Sequence, residues 1–317
     1  MSDHTGIEWT DSTWNVVTGC DKISPGCKNC YAEGIADRFF AKQYPPNADG
    51  SPRKFTDVRC HPERLDTPLH WRAPRMCFVN SMSDLFHEDV PEEFIRAVFT
   101  TMRNAQQHTF QVLTKRAARM LEIIGTWQRN GLLLREGHGC VLPNVWLGVS
   151  VEDQKRADER IPLLLQTPAA VRFLSVEPML ETVSFRWAKW DTWKPHPRRP
   201  ERMGPGAIDE YDGLRMLDWV ICGGESGPGA RMFRREWAES LFKQCREAGV
   251  PFFMKQFGSY PVLDPRYDQT LPGATRKLQN RKGGDPEEWP EALRVREFPK
   301  PYPGHEVARL QRKANVS

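Results

Sequence analysis

From Met76 onward the chain repeats one pattern: a short, continuous apolar run, a polar connection, then a segment whose apolar residues recur at helical spacing. The apolar runs are Met76–Asn80, Thr109–Thr114, Val145–Ser150, Val171–Val176, Leu217–Cys222 and Pro251–Lys255. The helical segments between them cover Pro91–Gln106, Arg116–Trp127, Asp153–Gln166 with an interruption near Pro162, and Arg235–Ala248. Apolar runs without alternation belong to strands covered on both faces. Strand, helix and strand at this spacing make parallel βαβ units with right-handed connections. Six or seven such units suit an α/β fold built as a partial or complete parallel β/α barrel, with the Met76 run as its second strand. An open, doubly wound sheet produces the same alternation and stays open at this point. With 317 residues the chain is long enough to bury a sizeable core. Residues 1–258 read as the barrel domain with an insertion at 185–216, and residues 259–317 as a proline-rich, charged extension that wraps it.

Parallel β/α folds bind ligands at the carboxyl ends of their strands. Polar residues collect at those positions here. Asn80, Ser81 and Asp84 follow the second strand, and Lys115 and Arg116 the third. Ser150 and Glu152 end the fourth, Glu177 the fifth, and Gly223, Gly224 and Glu225 the sixth, with Lys255 closing the seventh. Ser83, Asp84, Ser150 and Asp153 are each satisfied as helix caps taken singly. As a set, the carboxylates and lysines on one rim read as a ligand site. Gly223-Gly224 permits close approach of the backbone to a ligand. No Gly-Lys-Ser/Thr follows it, no Gly-x-Gly-x-x-Gly is present, and no nucleophile elbow is found. The histidines are scattered and receive no catalytic role.

Ahead of these units lies Gly19-Cys20-Asp21-Lys22-Ile23-Ser24-Pro25-Gly26-Cys27-Lys28-Asn29-Cys30-Tyr31-Ala32, three cysteines spaced Cys-x6-Cys-x2-Cys before a helical segment over Tyr31–Gln43. Thiolates favour zinc, copper(I) and iron–sulfur centres. Zinc would need a distant fourth ligand, Cys60 or His61, whereas a four-iron cluster can be held by three cysteines with one iron left for a substrate or cofactor. A disulfide is disfavoured if the compartment is reducing.

The runs Asn15-Val16-Val17-Thr18-Gly19-Cys20 and Gly26-Cys27-Lys28-Asn29-Cys30-Tyr31-Ala32 resemble the cluster loop of radical S-adenosylmethionine (SAM) enzymes, and most of all the branch related to spore photoproduct lyase. Together with Ile7-Glu8-Trp9-Thr10-Asp11-Ser12-Thr13-Trp14-Asn15, most of the chain is similar to a phage-encoded three-Cys-motif family of unknown activity. The resemblance implies a barrel of the radical SAM type, with a [4Fe–4S] cluster on Cys20, Cys27 and Cys30 and SAM on the open iron. It departs from those enzymes in the x6 spacing, where x3 is usual, and in Asn29, where an aromatic residue is common. Asn80, Ser81, Ser150 and Glu152 are candidates for the SAM amino group or ribose. Lys115 or Arg116 are candidates for its carboxylate. Asp84, Glu177, Gly223, Gly224 and Glu225 complete the cofactor-binding candidates.

Basic and acidic residues nearly cancel, 45 against 41, so charge permits a nucleic-acid partner without requiring one. The insertion interleaves Trp187, Trp190 and Trp193 with Arg198, Arg199 and Arg202, residue types that stack bases and hold phosphates, or that cover a barrel. No run approaches the roughly 18 apolar residues of a membrane span, and no secretory signal pattern opens the chain. A cytoplasmic enzyme that reductively cleaves SAM, takes electrons from a donor and acts by radical chemistry on a nucleic acid or nucleotide is therefore the expectation. The alternative is a zinc- or cluster-stabilised nucleic-acid-binding protein without radical catalysis, and a phage structural protein fits the rim residues poorly.

Overall fold

The computed structural model describes residues 5–131, 141–186, 213–264 and 278–300. The side chains of residues 40, 41 and 43 are outside that description. The chain divides into two compact units, one reaching from the N-terminus to Gly148 with Thr167–Ala170, the other made of Val149–Gln166 and Val171–Lys300.

In the first unit the elements in chain order are β1 (Ser12–Trp14), β2 (Val17–Thr18), α1 (Tyr31–Gln43), β3 (Arg59–Cys60), β4 (Met76–Val79), α2 (Glu92–Asn104), β5 (Thr109–Thr114), α3 (Ala117–Arg129) and most of β6 (Val145–Ser150). All four residues of β4 are buried, and five of six in β5. This follows from strands sandwiched between layers. β4 pairs in parallel with β5 on one side and with β1 on the other. The pairing with β1 sets Ser12, Thr13 and Trp14 against Cys77, Phe78 and Val79. The sequence pattern gives no sign of β1, because Ser-Thr-Trp is too short and too polar to read as a strand. It is nevertheless fully buried, and the Trp14 indole donates to the Arg64 carbonyl at 2.8 Å. α2 carries Glu92 and Glu93 in its first turn and Arg103 in its last, complementing the helix dipole. Its Ile95, Val98, Phe99 and Met102 form one buried stripe at helical spacing.

The second unit holds the end of β6, then α4 (Gln154–Gln166), β7 (Val171–Val176), β8 (Trp219–Gly223), β9 (Phe233–Arg234), α5 (Arg235–Ala248), β10 (Phe252–Gln256) and β11 (Pro261–Val262). The expected interruption near Pro162 is corrected here: α4 runs unbroken past it, because Ala157, Ile161, Leu164 and Leu165 bury one continuous face on both sides of the proline. α5 ends at Gly249, whose φ of 66° supplies the left-handed cap. β7 pairs in parallel with β8, and β8 with β10. Residues after 278 add to the free edge of β10, where Met254 N–H donates to the Val295 carbonyl at 2.8 Å and Phe298 stacks on Trp219.

Among the described residues the large sheet has the strand order β1-β4-β5-β6-β7-β8-β10. The fold is thus mixed α/β with a seven-stranded parallel sheet, the arrangement of a partial parallel barrel. Among the described residues β1 and β10 are end strands, so the order does not close into a ring.

His108, in the first unit, is fully buried, with both ring nitrogens engaged. Nδ1 accepts from the Arg75 N–H at 3.2 Å and Nε2 donates to the Pro68 carbonyl at 3.0 Å. That fixes the neutral ring. Burial depresses its pKa, opposed by the Pro68 carbonyl and helped by the Arg75 charge. A folded pKa below the unfolded value of about 6.5 means its stabilisation is intact above that pH. It is lost as pH falls towards the folded value, at up to about 1.4 kcal/mol per pH unit. The urea midpoint is expected to drop between pH 7.5 and pH 5, and less steeply in His108→Asn. His61, whose pKa burial also lowers, accounts for part of the remaining slope. Equal slopes in the two proteins would remove His108 from the account.

Candidate functional site

The cysteine loop leaves the carboxyl side of β1 and is held in place by backbone bonds before any side chain acts. Gly19 N–H donates to the Met82 carbonyl and Cys20 N–H to the Phe55 carbonyl at 2.9 Å, and Gly19 bridges Ser83 in parallel. Gly19 has φ +97°, and a Cβ there would lie 2.6 Å from the Asp57 carbonyl oxygen, so only glycine fits this crossing. The residues just before this crossing are pinned by Asn80. Its side-chain oxygen accepts from both Val16 and Val17 N–H, and its own backbone takes φ +61°. Ser81 donates to the Asn15 side chain at 3.2 Å, and its carbonyl accepts from the Tyr31 hydroxyl at 2.6 Å. Asn80 and Ser81 therefore hold the loop.

Cys20, Cys27 and Cys30 are half-buried, free thiols. Cys20 and Cys30 pack on one small apolar cluster of Ala32, Ala36 and Phe55, where α1 turns its small residues inward. Cys27 stands 3.7 Å from the Ser24 hydroxyl. Burial, with the Asp84 carboxylate next, pushes the Cys20 thiol up to about 11 against the pull of Arg116. Arg116 follows β5 and is almost wholly buried. Its Nη1 donates to Cys20 Sγ at 3.6 Å and faces Asp84 at 3.4 Å, while Nε donates to Glu88 at 2.7 Å. Burial opposes its charge, but Asp84 and Glu88 more than offset this and hold the guanidinium protonated above its ordinary range. Its Nη2 is buried with no hydrogen-bond partner among the described residues.

Asp84, a cofactor-binding candidate from the sequence, accepts from Phe86 N–H, Thr114 hydroxyl and Lys115 N–H in addition to facing Arg116. It organises the turns after β4 and β5. A connection that no spacing reveals joins this turn to the cysteine loop: the buried His87 ring meets Asp21 through Nε2 at 3.1 Å and accepts the Asp89 N–H at Nδ1. Arg119 fixes the same turn by donating to the carbonyls of Phe86, His87 and Val90. His61, considered above as a fourth zinc ligand, has Nε2 against the Thr18 hydroxyl at 2.8 Å and Nδ1 against Glu63 at 3.0 Å. Cys60 is half-buried in β3, opposite Val17.

The remaining rim residues belong to the second unit. Glu152 is fully buried and paired with Arg160 at 2.8 Å, and Arg160 also donates to the Ser150 carbonyl. Glu225 accepts from Arg231 through its backbone N–H, Nε and Nη2. Gly224 lies against the Phe257 carbonyl too closely for any side chain. Glu177 pairs with Lys255 over Gly223. The partners Arg160 and Arg231 were not evident in the sequence, since Arg160 is one of several charged residues in its helix and Arg231 follows a glycine-rich turn. The insertion residues Trp187, Trp190, Trp193, Arg198, Arg199 and Arg202 lie outside the described residues.

Among the described residues no three of His, Cys, Asp and Glu already stand in a metal-binding arrangement. In kind, the donor set fits a thiolate-bound centre: three free thiols in one loop, two on a shared apolar cluster, with Cys20 and Cys27 near enough to interact electrostatically. Fold and loop together define a parallel α/β protein with a thiol-bearing segment between its first sheet strand and first helix. The chain belongs to the family described as a protein of unknown function, DUF5131, matched over residues 4–296. No curated protein and no solved structure matches it.

Proposed function

We propose that the chain is a radical SAM-like iron–sulfur enzyme acting on a nucleic acid or nucleotide, with Cys20, Cys27 and Cys30 as the ligands of a [4Fe–4S] cluster. The observation that carries this reading is the placement of three free thiols on the loop that leaves the carboxyl side of β1, beside the strand-end residues of β4 and β5. When bound, such a cluster supplies the one-electron reduction that cleaves SAM to a 5′-deoxyadenosyl radical. The chain's own residues bind and orient. Gly19, Phe55 and Met82 fix the Cys20 backbone, and Arg116 donates to its sulfur. The buried Nη2 of Arg116 is the donor we assign to the SAM carboxylate, in a charge-assisted bond. Lys115, half-buried beside it, adds positive charge at the same strand end. The tryptophans and arginines of the insertion are assigned to the nucleic acid. The electrons come from an external donor.

Incubation of the anaerobically purified protein with dithionite and SAM is expected to release 5′-deoxyadenosine. Zinc at one per chain, with no 5′-deoxyadenosine and with salt-sensitive binding to DNA or RNA, would assign the chain instead to the binding-protein alternative.

A further inference from the structure

Three features of the second unit converge on one ion pair. Glu177 is the first residue beyond β7, and Lys255 lies near the end of β10. β8 runs between these two strands, so their backbones are separated by roughly 10 Å. Lys255 Nζ still reaches Glu177 Oε1 at 2.6 Å. The register explains how: Met254 pairs with Cys222 and Gln256 with Gly223, leaving Lys255 as the extra residue of a β-bulge. Bulges of this kind re-aim a side chain and are over-represented next to active sites. The residue beneath the pair is Gly223, where a Cβ would stand 3.3 Å from the Glu177 carboxyl group. Gln256, at the end of the same strand, donates to Glu177 Oε1 at 3.3 Å and to the Gly224 carbonyl at 3.0 Å.

As a stabilising device this is a poor arrangement, because a partly desolvated ion pair contributes little net stability. As a ligand site it is well formed. Both side chains are 17% exposed. Among the described residues Glu177 Oε2 and two of the three ammonium protons have no hydrogen-bond partner. A free acceptor thus stands beside free donors at the carboxyl end of parallel strands, where ligands bind. The charge is balanced. Glu177 and Lys255 cancel, and the carboxylates of Glu152 and Glu225 are already neutralised by Arg160 and Arg231. An anionic ligand would face Glu177 and a cationic one Lys255, each leaving an uncompensated charge in a half-buried place. The complementary ligand is uncharged and dipolar.

We propose that Glu177 and Lys255 bind the edge of an uncharged ligand carrying an N–H beside a C=O, the lactam edge found on uracil, thymine and guanine. Glu177 accepts from the N–H, Lys255 donates to the carbonyl oxygen, and Gln256 holds the carboxylate in place. The choice of a nucleobase rests on the nucleic-acid reading above; the donor–acceptor pattern and the charge balance do not.

Ligand-observed NMR on the full chain, purified in air without SAM, tests it with uridine and 3-methyluridine, which differ only in the N–H. Uridine is expected to bind at least about tenfold more tightly, because the methylated base leaves Glu177 without a donor. Glu177→Ala and Lys255→Met are expected to abolish the preference. No binding of uridine, or equal binding of the two nucleosides, overturns the proposal, and that comparison on the unaltered chain decides even if a variant fails to fold. Iron content and 5′-deoxyadenosine release report separately on the cysteine loop, so either reading can fail while the other stands.

Discussion

Protein purified without oxygen is expected to carry about four irons and four sulfides per chain, and Cys30→Ala to carry almost none. The effect is all-or-none because the loop offers no spare thiol. Cys77, Cys222 and Cys245 are fully buried, and burial drives their thiols upward, Cys77 to about 12, so none is positioned to replace a lost ligand. Cys60 is the informative control. It is half-buried in β3, and a zinc centre closed by its sulfur would lose metal in Cys60→Ser. A three-cysteine cluster would keep its iron in that variant. Iron lost from Cys30→Ala and kept in Cys60→Ser therefore separates the two centres, and the opposite pattern of metal retention would rule the cluster out. Cys20→Ala is expected to behave as Cys30→Ala does, with the further consequence that Arg116 Nη1 loses its contact with sulfur.

The parts of the fold that were legible in the sequence are those whose burial shows as a long apolar run or a helical stripe. β5, β6 and β7 match their apolar runs residue for residue, since a strand covered on both faces is mostly apolar. α5 matches because its stripe is periodic and Gly249 marks the stop, whereas α1 matches in extent although Ile35 and Phe39 are exposed and Ala32 and Ala36 face inward. β1 was illegible. Ser12 and Thr13 are polar, and what buries them is the pairing with β4, more than sixty residues away. The site divides along the same line. The loop thiols and the rim carboxylates could be named as candidates from type and spacing alone. Whether a carboxylate is committed or available depends on partners brought up by folding. Asp84 accepts four donors, Glu152 is sealed by Arg160, and Glu225 is gripped by Arg231, whereas among the described residues Glu177 keeps one oxygen open. No periodicity reports that difference, because the partners come from different places: Arg160 from the following helix, Arg231 from the loop before β9, and Lys255 from a bulge in β10.

Gly19→Ala is expected to destabilise the first unit by about 3–5 kcal/mol, or to force the cysteine loop out of place, and Gly50→Ala by only about 1 kcal/mol. Both glycines have positive φ, +97° and +80°, so both substitutions carry the strain of a side chain in that region. They differ in space. Around Gly50 nothing lies within 4 Å of the added carbon, whereas at Gly19 it would stand 2.6 Å from the Asp57 carbonyl oxygen and 2.8 Å from that of Phe55. Those oxygens cannot yield cheaply. Phe55 accepts the Cys20 N–H, and Asp57 accepts from the buried Arg53 guanidinium, which also holds Thr18. Relief of the clash must move either this scaffold or the Cys20 backbone itself. Urea unfolding of the two variants measures the gap between them. Iron content of refolded Gly19→Ala then tells which side moved: a stable protein without iron locates the shift in the cysteine loop, while a weakened protein that keeps its iron locates it in the 53–57 scaffold. Equal midpoints for Gly19→Ala and Gly50→Ala would mean that Cys20 does not depend on this crossing for its position.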